Sequence, residues 1–178
     1  MMSRIEIPIG DLNLNVPEIW DNLLLLSCGD YAVGHYNAMT IGWGFFGASW
    51  EKPQAVVMVR KHRYTFEFME KYPDFTISAF QSDNQSYKDA LTILGTKSGR
   101  DTDKMKTCGL TAIASKSVAS PSFKEACLTL ECKKDYFTDL SAGTIVSDYI
   151  RSHYSNDNDV HRLYIGQIVR AFSNMSNA

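Results

Sequence analysis

Three clusters in this chain set cations beside hydroxyls and glycines: Arg60-Lys61-His62-Arg63-Tyr64-Thr65, Thr96-Lys97-Ser98-Gly99-Arg100 and Asp103-Lys104. A bound phosphate needs guanidinium or ammonium charge, hydroxyl donors and free amides at a helix start. The first two clusters each precede a predicted helix. The plainer alternative is solvated loop charge paired with Glu67, Glu70, Asp101 and Asp103, because surface ion pairs are common and weak. Just upstream, Asn37-Ala38-Met39-Thr40-Ile41-Gly42-Trp43-Gly44 and the aromatics Phe45, Phe46 and Trp50 form an apolar wall. Core packing is the default for such side chains. The glycines at 42, 44 and 47 nevertheless leave room for a backbone or a flat ligand to approach. The pair of features suits a ligand with a planar ring at one end and an anion at the other.

Other chemistries find less support. His35, His62, His153 and His161 share no metal-like spacing, and no His-x-x-x-His or His-Glu pair occurs. There is no Gly-x-Ser-x-Gly elbow and no Cys–His nucleophile pair, which disfavours hydrolase chemistry. Gly42-Trp43-Gly44-Phe45-Phe46-Gly47 spells the dinucleotide-binding letters. It leads into aromatics and Lys52-Pro53 rather than a helix, so the match is accidental.

The elements that must position these residues follow from patterning. The 178 residues, 44% of them hydrophobic, suffice for one continuous core, and a single domain over 1–178 is expected. A net charge of -2 gives no global field for nucleic acid or an anionic membrane. Cys28, Cys108, Cys127 and Cys132 are too few and too irregular for a disulfide framework and read as reduced thiols. No stretch approaches the roughly 18 apolar residues of a membrane span, so a cytoplasmic protein is expected.

Ile5 to Ile9 reads as a short edge strand broken by Pro8, and Leu23 to Gly29 as a buried strand. In an extended Ala38–Trp43, Met39, Ile41 and Trp43 share one bulky face while Ala38, Thr40 and Gly42 share an open one. Lys52-Pro53 sets a turn before the β-branched run Ala55–Val59. Thr65 caps a helix from Phe66 to Lys71, stopped by Pro73. A strand over Phe75–Phe80, a helix over Ser86–Leu94, a polar loop over Gly95–Asp101 and a helix over Thr102–Cys108, capped by Asp101 and ended by Gly109, follow. Leu110–Ala114, Ala126–Cys132 and Arg162–Phe172 read as strands, Ile145–Tyr154 as a surface helix and 155–159 as a polar linker. Many short strands with few helices favour an antiparallel barrel over a doubly wound parallel sheet.

In order along the chain, Asn37-Ala38-Met39-Thr40 with Trp43, Lys52-Pro53, Arg60 with Arg63-Tyr64-Thr65, Phe75-Thr76-Ile77-Ser78, Gly95 through Asp101 with Asp103-Lys104, and His161 before Tyr164-Ile165-Gly166 resemble the flavin reductase-like proteins of the flavoredoxin type. The likeness runs from about residue 20 to residue 172, and the Arg-Tyr-Thr and Ser-Gly-Arg-Asp-x-Asp-Lys segments carry it. It implies a mainly β FMN-binding split barrel, a six-stranded antiparallel Greek-key barrel with helical excursions, assembled as a homodimer with the flavin near the interface. By the same resemblance Asn37, Met39, Thr40, Ile41 and Trp43 line the isoalloxazine. Arg60, Arg63, Tyr64 and Thr65 hold phosphate and ribityl chain, and Ser98, Gly99, Arg100 and Lys104 close over the cofactor. His161 falls near flavin and nicotinamide. The stretch from Phe137 to Ser155 has no counterpart in the resemblance.

The function so implied is an FMN-dependent NAD(P)H:flavin oxidoreductase. Its alternatives are a flavoredoxin-like electron carrier exchanging electrons with a redox partner protein and a binding protein without turnover. A flavin performs the redox chemistry itself, which accounts for the lack of an evident acid, base or nucleophile.

Overall fold

The computed structural model describes residues 4–14, 23–154 and 160–174. Ten strands occur among them: β1 (Ile5–Ile7), β2 (Leu24–Asp30), β3 (His35–Ile41), β4 (Gly44–Ser49), β5 (Lys52–Arg60), β6 (Asp74–Ala79), β7 (Ala112–Ile113), β8 (Ser122–Phe123), β9 (Leu128–Asp139) and β10 (His161–Ser173). The α-helices are α1 (Tyr64–Lys71), α2 (Gln85–Thr96), α3 (Lys104–Thr107) and α4 (Asp148–Arg151).

Eight strands make one antiparallel sheet in the order β3-β2-β6-β9-β10-β5-β4, with β1 added beside β10; β7 and β8 pair separately. The sheet is curled. Met39 and Ile41 of β3, at one end of the path, share a core with Val57 and Val59 of β5, near the other, together with Phe68 and Met69 of α1 and Tyr164 of β10. Only a sheet wrapped round its own interior brings those strands to one cluster, and the barrel so formed is split at β3, whose outer edge joins no ladder among the described residues. The expected mainly β antiparallel architecture is therefore present, with eight strands in the sheet rather than six.

The four-leucine run is explained by burial on both sides. Leu26 enters the barrel core, whereas Leu25 enters a second cluster with Leu91 and Leu94 of α2 and Phe123 of β8. A strand covered on both faces needs no polar alternation.

Several local expectations are corrected. The open face of β3 is covered: Ala38 packs in the α2 cluster, and the Thr40 hydroxyl donates to the Leu91 carbonyl. Trp43 lies beyond the end of β3, so it does not continue the Met39–Ile41 alternation. Gly44 is needed for the sheet itself, since a Cβ there would fall 2.5 Å from the Val56 carbonyl oxygen. Lys52 and Pro53 begin β5 rather than turn; Trp50 and Glu51, both at positive φ (49° and 59°), make the two-residue hairpin between β4 and β5. Two positive φ values match the right-handed strand twist, which is why backbone geometry outweighs the usual preference for Asn-Gly. Asp103, not Asp101, caps the short α3, accepting from the Lys106 amide. Only Asp148–Arg151 of the predicted surface helix is α-helical, after a 3-10 turn at Ala142–Thr144. The predicted linker over 155–159 lies outside the described residues. No helix among the described residues is long and apolar enough to cross a membrane.

Candidate functional site

The turn from β5 into α1 sets the centre of the site. The Arg63 amide donates to the Arg60 carbonyl at 3.0 Å, folding the basic segment back on itself, and α1 starts at Tyr64 with no side chain capping it. The predicted cap is engaged elsewhere. Thr65 is buried in the first turn, and its hydroxyl accepts from Asn37 Nδ2 at 2.8 Å, tying α1 to β3. An uncapped helix start retains free amides and the positive end of the helix dipole.

A cleft of about 360 Å³ borders that start, lined by Arg63, Tyr64, Thr65, Ser98, Arg100 and Lys104 among others. The sequence-predicted anion cluster is thus assembled from α1 and the loop after α2. The loop is compact: Ser98 accepts from the Asp101 and Thr102 amides through its carbonyl, and its hydroxyl accepts from the Arg100 amide. Gly99 is obligatory, because a Cβ there would lie 2.6 Å from Asn37 Oδ1 and 2.8 Å from the Tyr64 ring.

The four cations differ in what they already hold. Arg63 is half-buried and donates from Nη2 to the Gly95 carbonyl at 2.7 Å. Arg100 meets Glu67 through Nε and Nη2 and the His62 carbonyl through Nη1, with its guanidinium 5.0 Å above the Tyr64 ring. That pairing is the loop-charge alternative realised at one residue. Lys104 is buried, and its Nζ donates to the Leu94 and Lys97 carbonyls at 3.2 and 3.3 Å. Burial, with the nearby Arg63 charge, lowers its pKa to about 8. Lys104 thus secures the end of α2 from within while bordering the cleft. Arg60 donates from Nη2 to the His153 carbonyl at 2.9 Å.

An adjoining cleft of about 300 Å³ shares His62 and Arg63 with the first and adds Met39, Thr40, Met58, Arg60, Gly95 and His161. The predicted ring-side residues Met39 and Thr40 therefore meet His161, whose backbone pairs with Arg60. Met39 and Ile41 both pack in the barrel core, and of the two only Met39 also lines this cleft. Trp43 stands beside the cleft, its ring 4.9 Å from that of His161 and 5.3 Å from that of His153. Tyr154 completes the group, its hydroxyl 3.0 Å from His161 Nδ1. The stretch without a counterpart in the sequence resemblance thus supplies this wall. His62, Met58, His153 and Tyr154 were not singled out as site residues. His62 lay within the basic cluster, but the other three carried no local signal, since only the tertiary fold brings them to β3.

Comparison with known proteins gives the arrangement a family. The model of the flavin reductase like domain matches residues 22–177. The chain belongs to the flavin reductase like domain family. No curated protein matches it significantly in sequence. Among solved structures, a flavoredoxin from Methanosarcina acetivorans is similar with a TM-score of 0.66 at 21% identity, over 85% of this chain and 68% of that one. An FMN-binding domain of a flavin reductases-like enzyme from Shewanella baltica gives 0.65 at 17% identity, over 97% and 78%. An NADH:FAD oxidoreductase from Streptomyces globisporus gives 0.62 at 14%, over 85% and 75%. At these identities the likeness establishes the fold, which is the split barrel of the flavin reductase-like proteins. In this family member the second cleft reaches β3 through Met39 and Thr40, and the first joins it through His62 and Arg63.

Proposed function

We propose that this chain is an FMN-binding NAD(P)H:flavin oxidoreductase, accepting hydride from a reduced nicotinamide and passing electrons to free flavin or another acceptor. The observation that carries the reading is the junction of an uncapped, cation-flanked helix start with a cleft walled in part by Met39 and Met58, in a chain of the flavin reductase like domain family. These residues fit FMN in kind. Arg63, the start of α1 and Ser98 suit a phosphate, and Met39, Thr40 and Met58 suit one face of a ring. When bound, the flavin supplies the two-electron chemistry, so the protein need only bind, orient and adjust local charge. Met39 and Met58 exclude water from the ring side, Arg63 holds the anion, and His161, beside Tyr154, faces the place where a hydride donor enters.

We further propose a cytoplasmic homodimer. Its cysteines all carry free thiols, as a reducing compartment keeps them. Its sheet also presents an outer row of Tyr136, Ile165, Val56 and Phe45.

The function is tested by following oxidation of NADH and NADPH with and without added FMN, alongside the visible spectrum of the purified protein. Nicotinamide oxidation that requires FMN is expected. A yellow, FMN-loaded protein that leaves both nicotinamides intact would refute the reductase reading in favour of a flavoredoxin-like electron carrier, the alternative supported by likeness to two flavoredoxins. A protein that takes up no FMN would refute both.

A further inference from the structure

His161 opens β10, is buried, and lines the ring-side cleft. Its backbone pairs with Arg60 of β5, and its carbonyl accepts from the Leu140 amide at 3.0 Å, so the main chain beneath the side chain is fixed. Its ring lies 4.9 Å from that of Trp43 and meets the Tyr154 ring edge to face at 5.6 Å. The Tyr154 hydroxyl stands 3.0 Å from Nδ1. Tyr154 is itself held. Its amide donates to the Arg151 carbonyl at 3.1 Å, and its ring lies 5.5 Å from the Arg60 guanidinium, which also donates to the carbonyl of His153. Tyr154 belongs to the stretch that the sequence resemblance does not cover.

We propose that Tyr154 is a positioning residue for hydride entry: its hydroxyl donates to Nδ1 and so holds the His161 ring at the cleft in the tautomer that carries its proton on Nε2. The direction of that bond follows from the partners. A neutral imidazole has one bare nitrogen and one N–H, whereas a phenol can donate or accept. Donation by the phenol joins the more acidic proton to the more basic lone pair. The role of one imidazole nitrogen is set by the bond the other makes, so a hydroxyl at Nδ1 decides what the rest of the ring offers. It offers a neutral, oriented N–H rather than a base. That suits a step in which the flavin and not the protein carries the electrons. An N–H on a ring that lines the cleft is also a partner of the kind that the carboxamide oxygen of a nicotinamide accepts. The inference rests on the proposed reductase reading, in which the hydride donor enters beside His161.

The test is Tyr154→Phe, which removes the hydroxyl and keeps the ring. Proton–nitrogen NMR of the FMN-free chain, at a pH where the imidazole is neutral, reads the tautomer, with the His161 signals assigned by their loss in His161→Gln. FMN titration reads the cofactor site, and anaerobic single-turnover reduction of bound FMN by NADH reads the hydride step. The parent is expected to show a bare Nδ1 and a protonated Nε2, and Tyr154→Phe a mixture of tautomers. FMN affinity is expected to be unchanged, and reduction to slow by up to about tenfold, the scale of one hydrogen bond. In a His161→Gln background the same substitution slows it no further. A protonated Nδ1 in the parent, or a tautomer that Tyr154→Phe leaves unchanged, overturns the proposal. So does a shifted tautomer with an unchanged reduction rate, an equal slowing with and without His161, or a loss of FMN affinity, which would give the hydroxyl a merely structural role. A parent chain that binds no FMN, or binds it and leaves NADH intact, refutes the flavin or the reductase reading and with it the role in hydride entry. The spectra of the FMN-free chain separate that failure from a wrong assignment of the bond between Tyr154 and His161.

Discussion

Arg63 and Arg100 hold the same charge but start from different states. Arg63 is half-buried against the Gly95 carbonyl and borders both clefts, so an arriving phosphate adds a partner without displacing an anionic one. Arg100 is held by Glu67, and any turn toward a ligand costs it that contact. Charge-assisted hydrogen bonds contribute about 1.5–3 kcal/mol, so Arg63→Ala is expected to weaken FMN binding within that range. Arg100→Ala is expected to weaken it less, because Glu67 already offsets part of the gain. Glu67→Gln is expected to tighten FMN binding by relieving Arg100 of its competitor. Fluorescence titration of FMN into the three variants checks the order. Equal, undiminished affinity in both arginine variants would remove the phosphate from this cleft. The residue types are legible in the sequence, and so is Glu67 as an acidic neighbour able to pair with them. The sequence did not show that Thr65 would serve Asn37 in place of its own helix end, because that contact spans two elements.

At the scale of elements, the strands were the most legible part. A continuous leucine run marks β2, a β-branched run marks β5 and alternation marks β6; β9 and β10 read as strands in outline, and the apolar spacing of Tyr87, Ala90, Leu91 and Leu94 marks α2. Turn chemistry was less so, since Trp50-Glu51 carries no turn signature and takes its positive φ from the strand pair it joins. What closes α2 was hidden altogether: Lys104, from α3, donates to the Leu94 and Lys97 carbonyls and fixes the loop between the helices. This strut has a pH signature. Its pKa is lowered from 10.5 to about 8, so between those values the unfolded chain binds a proton that the folded chain does not. Stability from this group therefore rises with pH across that interval, and the burial cost is felt in full below about 8. Cys108 opposes it, since burial raises its pKa from 9.0 and the folded chain then keeps a proton that the unfolded chain releases. Comparing urea unfolding near the two ends of the interval in the parent chain and Lys104→Met isolates the lysine. The variant is expected to be less stable overall and to lose the rising component, leaving the falling trend of the buried thiols Cys28, Cys108 and Cys132, whose pKa values burial raises. An unchanged slope would show that Lys104 keeps an ordinary pKa.

For the whole molecule, the outer surface of the sheet bears on assembly. Direct pairing places Tyr136, Ile165, Val56 and Phe45 side by side across β9, β10, β5 and β4, with their side chains on the same sheet face. Val57, Val59 and Tyr164 point the other way into the barrel, so this row faces outward. Phe45 and Tyr136 remain 55% and 53% exposed, and Trp50 at the hairpin tip, 61% exposed, leans on Tyr136 with ring centroids 6.4 Å apart. Exposed aromatic rows of this kind mark contact surfaces rather than ordinary solvent faces. Gln54, on the same face, donates to Asp135 while its buried Oε1 has no partner among the described residues. A polar atom in that state costs stability unless something supplies a donor. A second copy would cover the aromatic row, because a two-fold interface brings the same apolar row to itself. Phe45→Glu places a charge in the row without touching either cleft or the barrel core. Sedimentation is expected to show a dimer for the parent chain and a monomer for this variant, with the folded β spectrum retained. A parent chain that sediments as a monomer at micromolar concentration would exclude the homodimer and leave the aromatic row to a different partner.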